Sequence, residues 1–269
     1  MAGLPLYHGR WGSPDFSSGS LRNWLVKKER FFLTGRHGRG GRVLDLGCGG
    51  GWRFFTCLGS VVGVDISPLS LQGARQVYPQ VVAAHLGHLP FADDSFDVVV
   101  SLDVLGHIPQ EEKERVLQEI YRVLRPGGRT LHYIETEGDD PLTRWAKGYP
   151  PLYRRHLILP EGHVGLEAPR QAIRRFRKLG LRPRREVPAY KMFLYVQRWA
   201  QCFDNEYAQK SPLLRAAVAL SKTVTKWPPL LLLANGAMAL LLEITDRLLP
   251  FSWAGGVMVD YDKEAAGWS

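Results

Sequence analysis

The chain has 269 residues, 45% of them hydrophobic, which suits one large α/β domain or a domain with a lid and excludes fibrous and disordered classes. Its formal net charge of +9 is uneven: residues 1–136 carry 15 basic and 13 acidic groups, residues 137–269 carry 20 and 13. Three cysteines, Cys48, Cys57 and Cys202, lack metal-ligand spacing, and the N-terminus lacks a secretion-signal pattern, so a reducing cytoplasm and no metal are expected.

Residues 16–35 set Leu21, Trp24, Leu25, Phe31 and Phe32 on one face, which predicts an N-terminal helix. "RVLDLGCGGGW", 42–52, then reads as a buried strand over 42–46 that stops at Gly47, Gly49, Gly50 and Gly51. A short helix from Trp52 to Leu58 and a second strand over 61–65 follow. Ser67 and Pro68 form an N-cap and first-turn pair, so 67–78 is predicted helical. Strands are predicted over 81–86 and 96–103, an amphipathic helix over 110–124 stopped by "RPGG", and a fifth strand over 129–136. This alternation predicts a parallel sheet with helices on both faces and right-handed crossovers.

The second half is less regular. Residues 137–167 read as a long connection rich in Pro, Gly and His, 168–179 as a helix, and 181–190 as a sixth strand. Residues 191–250 read as mostly helical and 255–263 as a last strand. The expected organisation is a core over 1–190, an inserted helical lid over 191–252 above one end of the sheet, and a last strand with its tail over 253–269.

Three ligand classes use a glycine turn after a strand. A phosphate-cradling loop needs a Gly-Lys-Ser/Thr ending, and no lysine follows here. A dinucleotide site needs G-x-G-x-x-G, and Trp52 occupies the third glycine position. The pattern present is Asp45-x-Gly47-x-Gly49-x-Gly51. A carboxylate beside the turn repels a pyrophosphate but suits a ligand that brings an ammonium group. The glycines let the main chain approach it closely, and a helix N-terminus behind them offers N–H groups to a carboxylate. Asp65 ends the second strand, where it can accept both hydroxyls of a ribose, and Ile66 can pack on an adenine.

"VLDLGCGGG", "VVGVDIS", "LPFADDSFDVVVSLDVLGHI" and "VLRPGGR", within residues 40–136, resemble class I S-adenosylmethionine-dependent methyltransferases. The narrower likeness is to the branch with ubiquinone and menaquinone C-methyltransferases and many small-molecule methyltransferases. "EGHVGLEAPRQAIRRFRKLGLRP", 161–183, resembles the helix and strand that usually follow. The resemblance implies a Rossmann-like α/β fold, mostly parallel with one antiparallel strand near the end and a helical lid inserted before the last strand. It implies S-adenosylmethionine as cofactor. Asp45, Gly47, Cys48 and Gly49, within the turn that Gly51 closes, would hold the methionine part. Asp65 would bind the ribose and Ile66 the adenine, Leu86 would contact adenine through its N–H, and the Ser101 carbonyl would take the ammonium. One departure stands out: His85 occupies the position where the family usually has an Asp for the adenine amino group.

Methyl transfer from a sulfonium needs an aligned nucleophile and exclusion of water more than an elaborate triad. A base helps where the acceptor loses a proton. His107, after the fourth strand, is the first catalytic candidate, with a helix-turn histidine that shapes the pocket as the alternative. His163, in "GHVG", is the second, against a loop histidine or hinge contact. Asp103 reads as a base or a cap for the next helix, and Tyr7 as a residue over the cofactor. The basic run 174–185 reads as a solvated face or an attraction to an anionic partner. "SLDV" stands where amino-methylating nucleic-acid enzymes carry N/D-P-P-Y, and Cys48 reads as a small turn residue and not a nucleophile, so nucleic acid is disfavoured. "PPLLLLANGAMALLLEITDRLLPF", 228–251, leaves two readings open: a buried lid helix, or an apolar tunnel or interfacial helix for a lipid-like acceptor, flanked by Arg215, Lys222 and Lys226. The expected activity is methyl transfer to a small acceptor, with lipid-like molecules and peripheral membrane contact within that reading. An RNA methyltransferase and a non-catalytic cofactor-binding protein are the alternatives.

Overall fold

The computed structural model describes residues 41–191 and 196–265, so the helix predicted over 16–35 and Tyr7 lie outside the described residues. Seven strands form one sheet in the order β3-β2-β1-β4-β5-β7-β6. β1 (Arg42–Leu46) pairs in parallel with β2 (Ser60–Asp65) on one side and β4 (Phe96–Leu102) on the other. β3 (Gln80–Ala83) extends the sheet beyond β2, and β5 (Leu124–Glu135) extends it beyond β4, both in parallel. β7 (Gly256–Asp262) runs antiparallel between β5 and β6 (Arg182–Ala189). The strand order reverses between β1 and β4, which is where open α/β sheets bind ligands at their carboxyl ends.

Strand side chains alternate faces, and both faces are covered. Leu44, Leu46, Val62, Val64 and Val99 pack under helices α2 (Gln110–Val123) and α5 (Pro169–Lys178), through Val116, Ile120, Ile173 and Phe176. Val43, Val61, Val98 and Val100 face the other side, against Leu71 and Ala74 of α1 (Pro68–Ala74) and against Phe55 and Tyr78. Burial on both faces explains why these strands are near-continuous apolar runs. Asp45 shares the Val43 face, so its carboxylate enters the second core.

Three boundaries differ from the sequence-based expectation. The helix expected over 67–78 stops at Ala74, and the chain then carries Tyr78 beneath the glycine turn. β3 is shorter than 81–86, because after Ala84 donates to the Asp65 carbonyl the chain turns at His85–His88. β5 begins at Leu124, since "RPGG" continues in extended backbone with a register shift opposite Phe96 and Val98.

The connection over 137–167 is more ordered than its composition suggests. It contains α3 (Pro141–Lys147), α4 (Pro150–Tyr153) and a π-helical turn, Arg154–Ile158. Asp140 caps α3 by accepting from the Leu142 and Thr143 amides at 3.0 and 3.1 Å. These pieces join α6 (Val196–Phe203), α7 (Glu206–Lys210) and α8 (Pro212–Thr225) in a third core around Ala146, Phe203, Tyr207, Leu214 and Val218. The helical layer beyond the carboxyl ends of the strands is therefore built from two stretches of chain, 141–158 and 196–248. The long helix α9 (Pro228–Leu248) is tied to the end of β6 by buried Lys191, whose ammonium donates to the Asp246 and Leu249 carbonyls.

Among the described residues α9 is the one helix long and apolar enough to cross a membrane, and only 17% of its most apolar stretch is buried. The reading of it as a buried lid helix is therefore corrected. Leu231, Asn235, Leu242 and Asp246 face the protein at successive whole-turn intervals, while Leu233, Leu240 and Leu248 face outward.

Candidate functional site

The glycine turn is set by backbone conformation. Gly47, Gly49 and Gly51 take φ of +63°, +51° and +80°, in the left-handed region that side chains disfavour. At Gly47 a Cβ would also stand 2.7 Å from a Val104 methyl, so bare backbone is required there. The Cys48 amide bonds the Val64 carbonyl at 3.0 Å, holding the turn over β2. Burial pushes the Cys48 thiol far above its usual range, and Asp45 and Asp65 push it further, so the residue is a packed turn element without thiolate character.

Asp65 stands at the rim of this turn. Its two carboxylate oxygens accept from the Gly49 amide at 2.9 Å and the Ser67 amide at 2.8 Å. Each oxygen keeps a second lone pair for a ligand hydroxyl. Next to it, Ile66 is 46% exposed, an apolar side chain open beside a carboxylate. That pair suits a ribose and its base. Asp45 is buried below, where its Oδ2 accepts from the Tyr78 hydroxyl at 2.6 Å. Tyr78 in turn accepts from the Trp52 amide at 2.7 Å. Burial lifts the Asp45 carboxyl to about 7, the Tyr78 hydrogen bond opposes that rise, and the nearby Asp65 charge adds to it. A cation arriving at the turn would compensate this buried acid, whereas a pyrophosphate would meet two carboxylates.

Ser101 is fully buried at the end of β4, its hydroxyl 2.7 Å from His132 Nδ1. Burial holds His132 down to about 3, so that ring is neutral. Leu86 is buried beyond β3, against the first core. His85, at the departure from the family pattern, has its Nδ1 accepting from the Gly87 amide and its Nε2 3.3 Å from Glu112.

The two candidate histidines come together. His107 lies in the 3-10 turn Leu105–His107 and His163 in the loop before α5, with ring centroids 4.8 Å apart. Two hydrogen bonds stitch the segments: Gly162 accepts from His107 Nδ1 at 3.0 Å, and the Gly165 amide donates to Gly106 at 3.0 Å. Gly165 has no alternative, because a Cβ there would fall 1.7 Å from the Ile108 carbonyl. The loop is locked further by Glu167, buried between Lys113 at 3.1 Å and Arg175 at 2.8 Å. Glu135, ending β5, reaches between the rings: Oε1 lies 2.7 Å from His163 Nε2 and 3.6 Å from His107 Nε2. Burial pulls the His163 imidazolium down, but the Glu135 hydrogen bond and charge outweigh it and leave His163 a stronger base than usual. Asp103 takes a left-handed φ of +56° just before, and Val104 and Pro109 occupy the N-cap positions of the two following helices.

Glu135 and Tyr78 are the residues that sequence reasoning missed. Glu135 carried a signal, since it is a carboxylate at a strand's carboxyl end, as Asp65 is. Tyr78 carried none, because it was assigned to a helix face. The basic run 174–185 is substantially paired, through Arg175–Glu167, Arg177–Glu186 and Arg184–Asp262. Three of its arginines thus have carboxylate partners within the fold.

Residues 44–132 match a family model described as a methyltransferase domain. The demethylmenaquinone methyltransferase of Symbiobacterium thermophilum is 35% identical over 177 residues, 58% of this chain and 64% of that protein. The arsenite methyltransferase of Halobacterium salinarum is 42% identical over 103 residues, 34% of this chain and 26% of its own length. The chain thus spans less than two thirds of the length of these relatives. Among solved structures, the geranyl diphosphate C-methyltransferase of Streptomyces coelicolor, in complex with Mg2+, geranyl diphosphate and S-adenosyl-L-homocysteine, superposes with a TM-score of 0.52. It is 15% identical, covering 88% of this chain and 78% of that one, a likeness of fold.

Proposed function

We propose that the chain, whose residues 44–132 match a methyltransferase-domain model, is a class I S-adenosylmethionine-dependent methyltransferase that transfers the sulfonium methyl group to a small, lipophilic acceptor. The observation that carries the reading is the run of contacts at the carboxyl ends of β1 and β2. Bare backbone at Gly47 and Gly49, a carboxylate fixed by two amides and an open Ile66 leave donors and acceptors for a cationic nucleoside. Asp65 would hold the ribose, Ile66 and the Leu86 amide the adenine, and Asp45 with the Ser101 carbonyl the ammonium. Gly47, Cys48, Gly49 and Gly51 would line the methionine part.

When bound, the cofactor supplies an activated methyl group on a good leaving group. The protein's share is to align the acceptor about 3 Å from the methyl carbon and keep water away. His107, His163 and Glu135 supply the polar, proton-accepting groups that a hydroxyl or acidic-carbon acceptor needs, and such assistance is worth roughly 10²–10⁴-fold. Incubation with methyl-labelled cofactor and fractionated cell extract should send label into the organic fraction. His163→Ala should lower kcat about 100-fold on the labelled acceptor with cofactor affinity unchanged. Label found only in RNA would replace this reading with the nucleic-acid one.

The lipophilic acceptor is favoured by the outward face of α8 and α9. Leu213, Leu220, Trp227, Leu233, Leu240 and Leu248 are each more than 60% exposed. The exposed cations Arg215 and Lys226 lie along the same helices. Apolar and basic groups together suit an anionic bilayer surface. In flotation with acidic vesicles, a Leu233→Glu/Leu240→Glu variant should bind at least about 10-fold more weakly than the unmodified chain while keeping its cofactor affinity. Equal binding by both, or by neither, would count against membrane contact.

A further inference from the structure

His107, Glu135 and His163 each offer a ligand atom, and these atoms lie within 4.8 Å of one another. We propose that the three side chains bind one divalent transition-metal ion of the zinc, iron(II) or cobalt(II) class. Two imidazoles and one carboxylate form a set of borderline softness, suited to those ions more than to magnesium or calcium, and three ligands from among the described residues leave a position for an acceptor.

The geometry of His107 points the same way. The Gly162 carbonyl can only accept, so His107 Nδ1 at 3.0 Å carries a proton and Nε2 is the nitrogen that can ligate. Nε2 faces Glu135 Oε1 at 3.6 Å. A backbone carbonyl that fixes a histidine tautomer is the usual outer support of a metal ligand. Ligands about 2.1 Å from an ion stand about 3.0–3.4 Å apart. The His163–Glu135 contact of 2.7 Å therefore needs to open by a few tenths of an ångström, while the two imidazole nitrogens, within 4.8 Å of each other, need to close by up to roughly 1.4 Å, a shift that side-chain rotation supplies.

The frame is rigid. Each ligand comes from a different segment, and those of His107 and His163 are joined by the Gly162 and Gly165 hydrogen bonds. Gly106 makes room for the carboxylate, because a Cβ there would lie 2.7 Å from Glu135 Oε2. Glu135, Glu161 and Asp103 together give His163 a negative surrounding field, which favours a cation.

For its use, though not for ion binding itself, this inference rests on the methyl-transfer reading. An acceptor hydroxyl at the open position would lose its proton to solvent. Its oxygen would then bond the methyl carbon, and the C–S bond would break with its electron pair to leave the neutral thioether.

The test is a cobalt(II) titration of the chelator-stripped full chain, read by visible d–d absorption, with zinc content measured separately. One ion per chain is expected, with cobalt bands that zinc displaces. Glu135→Gln and His107→Ala should each weaken binding at least about 100-fold, while His88→Ala, at an exposed ring paired with Arg115, should leave it unchanged. Retained affinity for S-adenosylhomocysteine would certify that the variants are folded. Absent bands with no bound zinc in the unmodified chain, or bands that persist in both ligand variants, would overturn the proposal. Methyl transfer surviving in the metal-free protein would leave the functional reading standing alone. Metal binding without turnover on any acceptor pool would do the reverse.

Discussion

Asp65→Ala is expected to raise the dissociation constant for S-adenosylmethionine by at least about 100-fold, measured by calorimetry. The Asp65 carboxylate has two tasks. Toward the protein it fixes the glycine turn and the start of α1, through the Gly49 and Ser67 amides. Toward the ligand each oxygen retains a lone pair for one ribose hydroxyl. A hydrogen bond to a charged group contributes about 1.5–3 kcal/mol, and every 1.4 kcal/mol is tenfold, so losing two costs about 10²–10⁴ in affinity. Asp65→Asn keeps one accepting oxygen and should fall between the two. Affinity within threefold of the unmodified chain in the alanine variant would remove Asp65 from the cofactor site.

The second large effect concerns Asp45 and pH. Its folded-state carboxyl is raised to about 7, chiefly by burial, with Tyr78 opposing and Asp65 adding. Below an unfolded value near 3.8 both states are protonated. Between there and about 7 the folded state holds a proton that the unfolded state has released, so rising pH destabilises the fold, and the loss levels off above 7. At 1.36 kcal/mol per pKa unit the full loss is at most about 4 kcal/mol. Asp45→Asn retains an acceptor for the Tyr78 hydroxyl and removes the titration. In urea unfolding of the cofactor-free protein, the variant should gain stability relative to the unmodified chain as pH climbs from 4 to 8. A cofactor ammonium favours ionised Asp45, so cofactor affinity should rise with pH through the same window in the unmodified chain only. Parallel pH profiles for the two proteins would show that Asp45 stays ionised throughout.

Much of the cofactor half was legible before any tertiary structure. A strand that ends in glycines, a second strand that ends in Asp65, and a Ser-Pro helix start are local signals, each acting within a few residues. They located β1, β2 and α1 and the bend between them. The histidine cluster of the candidate site was only partly legible. His107 and His163 stood out one at a time, but nothing in their separation along the chain said that they meet. Glu135 gained meaning only once β5 brought its carboxylate between them.

The helical layer shows the same division. Residues 191–250 read as mostly helical in the sequence, yet residues 141–158 also belong to that layer. Trp145 and Tyr149 pack on each other and, across the chain, on Tyr207. The apolar run of α9 was plain in the sequence, but its exposure was not, because composition cannot tell a helix that buries its leucines from one that presents them. By itself the sequence determined the succession of strands and helices in residues 42–136, the glycine bend and the two acids beside it, since these follow from backbone conformation and alternation over short stretches. Only the tertiary structure decided the histidine–glutamate cluster, the support of Asp45 by Tyr78 and the outward face of α9. Those depend on how crossovers and stitched loops bring distant residues together, and no local pattern encodes that.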